Sequence, residues 1–157
     1  MFDVINGLPV HPLVVHAVVV LLPLAVLGTV AIVVRPSWRA RFGPLVVGCA
    51  AVATALVPVA TSSGEALERR VGDPGRHAAL GDQLIWFAVP LLVTAAAVVW
   101  LDQRSRAGTR TGSPLVLRAV SVLALVAALA AGVQVVRVGD SGARAAWGDQ
   151  VSSSAAR

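Results

Sequence analysis

The chain has 157 residues, 57% of them hydrophobic and 13% charged, with a formal net charge of +5 and a mean hydropathy of +0.80. An ordinary soluble domain is roughly 45–50% apolar and about 25% charged, so a water-soluble globule is excluded by the lack of polar surface to wet it. All 13 basic residues are Arg, and a single Cys excludes both an internal disulfide framework and a Cys-rich metal site.

Four stretches approach the ~20 nearly uncharged residues needed to cross a hydrocarbon core about 30 Å thick. They are residues 12–34, 43–61, 77–101 and 115–136. Only helices and closed barrels satisfy their backbone polar groups in lipid, and these continuous Val/Leu/Ala runs lack the alternation of barrel strands. The pattern predicts an all-α fold, an integral membrane four-helix bundle forming one domain over residues 1–157, with a short tail at 137–157.

In chain order, the first span follows Asp3 with no basic residue before it, and its apolar run is too long for a signal peptide. Pro23, near its middle, predicts a kink. The second span offers Gly48, Ala51 and Ala55 as small residues for close helix contact, with Cys49 as core packing. The third opens at Arg76-His77, carries Asp82 and Gln83, and has a mid-span Pro90. The fourth repeats Ala124, Ala128 and Gly132 as a contact row and ends near Gln134. Trp38 and Trp100 fall where an interfacial aromatic belt is expected.

Arginine distribution sets the expected orientation. The first connection carries Arg35, Arg39 and Arg41 with no acid, and the third carries Arg104, Arg106, Arg110 and Arg118 against Asp102. In the second, Arg69, Arg70 and Arg76 are balanced by Glu65, Glu68 and Asp73, and in the tail Arg137, Arg144 and Arg157 face Asp140 and Asp149. The positive-inside bias therefore puts both termini outside the cytoplasm. The high pI reflects this orientation and anionic lipid rather than nucleic acid, because the Arg residues form no continuous stripe.

All three histidines, His11, His16 and His77, fall at the starts of the first and third spans, hence at one end of the bundle. Asp82, Glu65, Gln83, Gln134 and Asp140 fall at the same end, and the opposite half offers no polar counterpart. An ionisable group within a span costs about 2.5–3.5 kcal/mol and normally faces a partner. The order His11, His16, Pro23 is echoed by His77, Asp82, Pro90, a faint duplication of a two-helix unit.

Two chemistries fit. A b-type haem would take His16 or His11 with His77 as axial ligands, with Asp82, Gln134 and Glu65 orienting them. A copper or zinc ion would instead use His11, His16, His77 and Asp82 or Glu65. Either site suits membrane electron transfer better than an enzyme, since Ser62-Ser63-Gly64 and Ser141-Gly142 lack any hydrolase elbow or phosphate loop. The alternative is a non-enzymatic scaffold or accessory subunit, in which the same His/Asp cluster clamps helices together and no cofactor is bound. Proton or small-molecule passage ranks behind both, for lack of a polar path through the other half.

Several segments carry a family resemblance: His11-Pro12-Leu13-Val14-Val15-His16, Ser63-Gly64-Glu65, Arg76-His77-Ala78, and the tail Gly139-Asp140-Ser141-Gly142-Ala143-Arg144-Ala145-Ala146-Trp147-Gly148. Together they resemble the bacterial four-span membrane proteins of domain-of-unknown-function family 2231, over nearly the whole chain. The resemblance implies a multi-pass protein of the bacterial cytoplasmic (inner) membrane. It also implies redox work near the outer face beside a respiratory or other membrane redox complex, because relatives are joined to iron–sulfur or c-type cytochrome modules. The tail position held here by Asp140 is His in many relatives, so only His11, His16 and His77 carry over as ligands.

Overall fold

The computed structural model describes the main chain of residues 4–5, 8–72, 75–108 and 113–155, and the side chains of 10–69, 72, 75–108 and 113–147. Asp3, Asp73, Arg110 and Arg157, and the side chains of Arg70 and Asp149, lie outside the described residues.

After a short antiparallel pair, β1 (Val4–Ile5) and β2 (Leu8–Pro9), come α1 (Val10–Val34), a 3-10 turn (Pro36–Trp38), α2 (Arg39–Val71), α3 (Arg76–Asp82), α4 (Ile85–Arg106) and α5 (Pro114–Ala155). Four helical segments are long and apolar enough to cross a membrane. The expected helical membrane architecture is thus present, with α3 and α4 together making the third span.

Each of α1 and α4 packs against both α2 and α5, while α1 and α4 hardly meet, so the two sit on one diagonal of the bundle. The core is built of Val18, Leu22 and Ala25 from α1, Ala50, Ala53 and Val57 from α2, Ala88 and Leu91 from α4, and Ala128 and Ala131 from α5. Alanines let backbones approach closely, which matters where lipid offers no hydrophobic drive for association. The row Ala124, Ala128, Gly132 packs inward as expected, with Gly132 against Val26. The row expected on α2 does not: Gly48, Ala51 and Ala55 are exposed, and Val46, Ala50, Ala53 and Val57 are buried instead. At 100° per residue, a shift of one or two positions turns a stripe from the bundle to the lipid, and small size marks both faces.

The tail differs more. It is no separate tail but the direct continuation of α5, which at 42 residues is about 63 Å long. Segment 137–147 contains no Pro, and its second half, Ala143-Arg144-Ala145-Ala146, is made of strong helix formers that carry the helix past Gly139 and Gly142. The helix therefore overruns the hydrocarbon thickness at the histidine end.

Pro23 sits inside α1 without interrupting it, as do Pro44 and Pro58 in α2 and Pro90 in α4. The break in the third span lies instead at Gln83 and Leu84, ahead of Pro90. There the Leu84 N–H donates to Gly81 O at 3.0 Å, one residue short of the α-helical partner. The Leu80 carbonyl so released accepts from Nε2 of Gln134 at 2.9 Å. A polar backbone group in lipid must be satisfied from within, and this bond does so.

The end opposite the histidines holds a polar cluster the sequence reading left out. Arg39 is buried at the start of α2. Its Nε donates to Ile32 O at 2.9 Å and its Nη2 to Val33 O at 3.4 Å, which caps carbonyls in the last turn of α1. Nη2 also reaches Ser121 Oγ on α5 at 3.5 Å, and Nη1 lies 3.7 Å from Asp102 on α4. Arg106 Nε holds the other Asp102 oxygen at 2.7 Å. One buried guanidinium thereby ties all four spans together. Trp38 and Trp100 stand exposed at the same end, each beneath an arginine, Arg35 at 5.1 Å and Arg104 at 4.3 Å.

Candidate functional site

A cavity of about 630 Å³ opens at the histidine end, lined mostly by apolar side chains and by His11, His16, His77, Glu65, Glu68 and Asp82. The four spans all contribute to it, and Trp147 on the overrunning part of α5 borders it.

His11 and His77 are held there in matching ways. Nδ1 of His11 is 2.9 Å from Ala60 O on α2 and 3.4 Å from Ser63 Oγ. Nδ1 of His77 is 3.2 Å from Val138 O on α5 and 3.3 Å from Ser141 Oγ. In each case the serine hydroxyl donates to the same carbonyl, at 3.0 Å from Ser63 and 2.8 Å from Ser141. The residue after each serine is a glycine against which the imidazole lies. A Cβ on Gly64 would come 3.0 Å from His11 Cε1, and one on Gly142 would come 3.0 Å from His77 Cε1.

The partners fix the tautomer. A carbonyl oxygen can only accept, so each Nδ1 carries a proton and donates it, and in the neutral imidazole the lone pair is then on Nε2. Neither Nε2 has a hydrogen-bond partner among the described residues. Carbonyl, serine and glycine stand at i, i+3 and i+4 of their helix in both halves, so His11 and His77 share one contact geometry; His16, bonded to Pro12 O, and Asp82, without a hydrogen bond among the described residues, do not extend the match.

The other residues singled out from sequence take different places. His16 lines the cavity but is exposed, and its Nδ1 bonds Pro12 O in its own helix, so His11 and not His16 is the counterpart of His77. Asp82 is exposed and makes no hydrogen bond or ion pair among the described residues; it orients neither histidine, because both Nδ1 atoms are taken by main-chain carbonyls. Glu65 is exposed at the cavity wall. Gln134 serves the Leu80 carbonyl rather than a histidine. Asp140 is exposed and pairs with Arg144 at 3.0 Å. Among the described residues no three His, Cys, Asp or Glu side chains converge as a preformed metal-ion site.

Sequence reasoning missed Ser63, Gly64, Ser141 and Gly142 as site residues. The available signal was the Ser-Gly dipeptide, present on both even-numbered spans. It has no meaning until the neighbouring helix brings an imidazole against it.

The family model described as "Predicted membrane protein (DUF2231)" matches residues 7–155, which takes in all four spans and both histidine contacts. The chain belongs to this family. No curated protein and no solved structure matches it. DUF2231 membership establishes a multi-pass membrane protein, in agreement with the four apolar helices.

Proposed function

We propose that this DUF2231 protein binds a b-type haem between His11 and His77 and passes electrons at the outer face of a bacterial cytoplasmic membrane. The observation that carries the reading is the pair of imidazoles whose Nδ1–H donates to a main-chain carbonyl and whose Nε2 has no hydrogen-bond partner among the described residues, beside one cavity. Histidine ligands are normally fixed in this way, because the bond on one nitrogen sets the tautomer, aims the ring and raises the basicity of the other. A largely apolar cavity of about 630 Å³ suits a ligand of macrocycle size. When bound, the haem would supply a one-electron couple, and the chain's residues would set its ligation and its access to water.

His11 and His77 lie on diagonal spans, so a planar group between them would be flanked by α2 and α5. Gly64 and Gly142 keep those flanks low and let each ring sit flush against its carbonyl. His16 and Glu65 are assigned to the cavity wall, with Asp82, and a respiratory or other membrane redox complex is the proposed electron partner. The arginine-rich connections favour placing the histidine end outside the cytoplasm.

One observation favours a second reading as a structural or accessory subunit. Each histidine already ties two helices, α1 to α2 and α3 to α5, through Nδ1 alone. In that case the clamp is the function of the histidines and no cofactor is needed.

The visible spectrum of the detergent-purified protein, made with haem supplied during expression, separates the two. A Soret band whose companion bands sharpen on dithionite reduction, and which is lost in His11→Ala and in His77→Ala, supports haem ligation. A featureless spectrum with both variants less stable supports the clamp.

A further inference from the structure

At the end away from the histidines, between α1 and α2, lies an apolar groove of about 200 Å³ lined by Leu24, Gly28 and Ala31 from one helix and Phe42, Leu45 and Cys49 from the other. The two helices touch beside it: a Cβ on Gly28 would come within 2.6 Å of Val46 Cγ2. Its rim is aromatic, with Trp38 edge-on to Phe42 at 5.6 Å. Each of these rings carries a guanidinium, Arg35 5.1 Å over Trp38 and Arg41 5.2 Å over Phe42.

Arg35 and Arg41 have no carboxylate partner among the described residues, whereas Arg39 and Arg106 beside them are both engaged by Asp102. Stacking uses the face of a guanidinium and leaves its N–H edge free, the edge that matches a phosphate. The groove runs along helices long and apolar enough to cross a membrane, where hydrocarbon is the solvent, and the arginines are near the helix ends, which a bilayer of ordinary thickness puts at headgroup depth.

We propose that this groove is a binding site for an anionic phospholipid, with one acyl chain along Leu24–Ala31 and the phosphate held between Arg35 and Arg41. Charge selects the lipid class, because the ammonium of a zwitterionic headgroup would be repelled by two guanidiniums that no carboxylate among the described residues neutralises. The apolar lining selects a lipid over a free phosphate.

The test is native mass spectrometry of the full-length protein in detergent, titrated with phosphatidylglycerol and with phosphatidylethanolamine of the same acyl chains. Wild type should prefer phosphatidylglycerol, and the preference should fall about five-fold for each arginine removed in Arg35→Ala and Arg41→Ala, about 25-fold in the pair. Arg118→Ala, which removes an equal charge elsewhere at the same end, should leave it unchanged. Ala31→Phe, which fills the groove, should weaken both lipids alike. Equal affinity for the two lipids in wild type, an equal loss in Arg118→Ala, or full phosphatidylglycerol binding by Ala31→Phe would each overturn the proposal.

Discussion

The side-chain amide of Gln134 on α5 donates to the main-chain carbonyl of Leu80 on α3 at 2.9 Å, at the place where the third span breaks between α3 and α4. Gln134 is 1% exposed. It is therefore the partner that makes an interrupted helix tolerable in lipid, and it fixes the height of α3, and with it His77, against α5. Gln134→Leu should lower thermal stability in detergent by about 1–2 kcal/mol, since a buried carbonyl is left without a donor. Unchanged unfolding in that variant would show that the carbonyl finds water instead.

The glycines beside the histidines give a controlled comparison. Gly64→Ala and Gly142→Ala each place a methyl group 3.0 Å from an imidazole Cε1, so the ring must move by a few tenths of an ångström and its Nδ1 bond must lengthen. Haem occupancy should fall in both, read as Soret absorbance per protein. Gly48→Ala, away from the cavity lining, meets nothing within 4 Å and should keep full occupancy.

Histidine substitutions should divide in the same manner. His11→Ala and His77→Ala remove a ligand in the haem reading, whereas His16→Ala removes an exposed residue bonded only to its own helix. Loss of the spectrum in His16→Ala with retention in His11→Ala would reverse the assignment of the pair.

At the arginine end, Arg39→Met leaves Asp102 with Arg106 alone and uncovers the Ile32 carbonyl. A cost of about 2–4 kcal/mol is expected from breaking a buried pair on one side. Arg39→Met with Asp102→Leu should recover part of it, and a double-mutant cycle on thermal unfolding measures how much.

Two glycine-to-alanine changes on lipid-spanning helices should have opposite signs. Gly28→Ala overlaps Val46 Cγ2, which a branched side chain cannot easily relieve, and should destabilise by about 1–3 kcal/mol. Gly48→Ala, with open space beyond it, should stabilise by about 0.5–1 kcal/mol through helix propensity.

Composition and charge spacing by themselves determined the membrane class, the helical form and the number of spans, because a hydrocarbon core admits few alternatives and helix length is fixed by its thickness. They also determined that the three histidines gather at one end, since that depends only on span direction. Tertiary structure decided the rest. Whether His11 or His16 answers His77 turns on 5 positions along α1, about 1.4 turns of helix, and only a neighbouring carbonyl and a glycine distinguish them. Which small residues of α2 face the bundle depends on a rotation of about 100° per residue, to which a pattern of Gly and Ala on both faces is blind. Arg39 and Asp102 read as loop charges because they flank span ends, yet packing buries them where four spans meet and a guanidinium can satisfy α1 carbonyls and a carboxylate together. Sequence thus set how far each helix reaches across the membrane, while rotation and height, fixed by close packing and by the need to satisfy every buried polar group, decided which side chains meet.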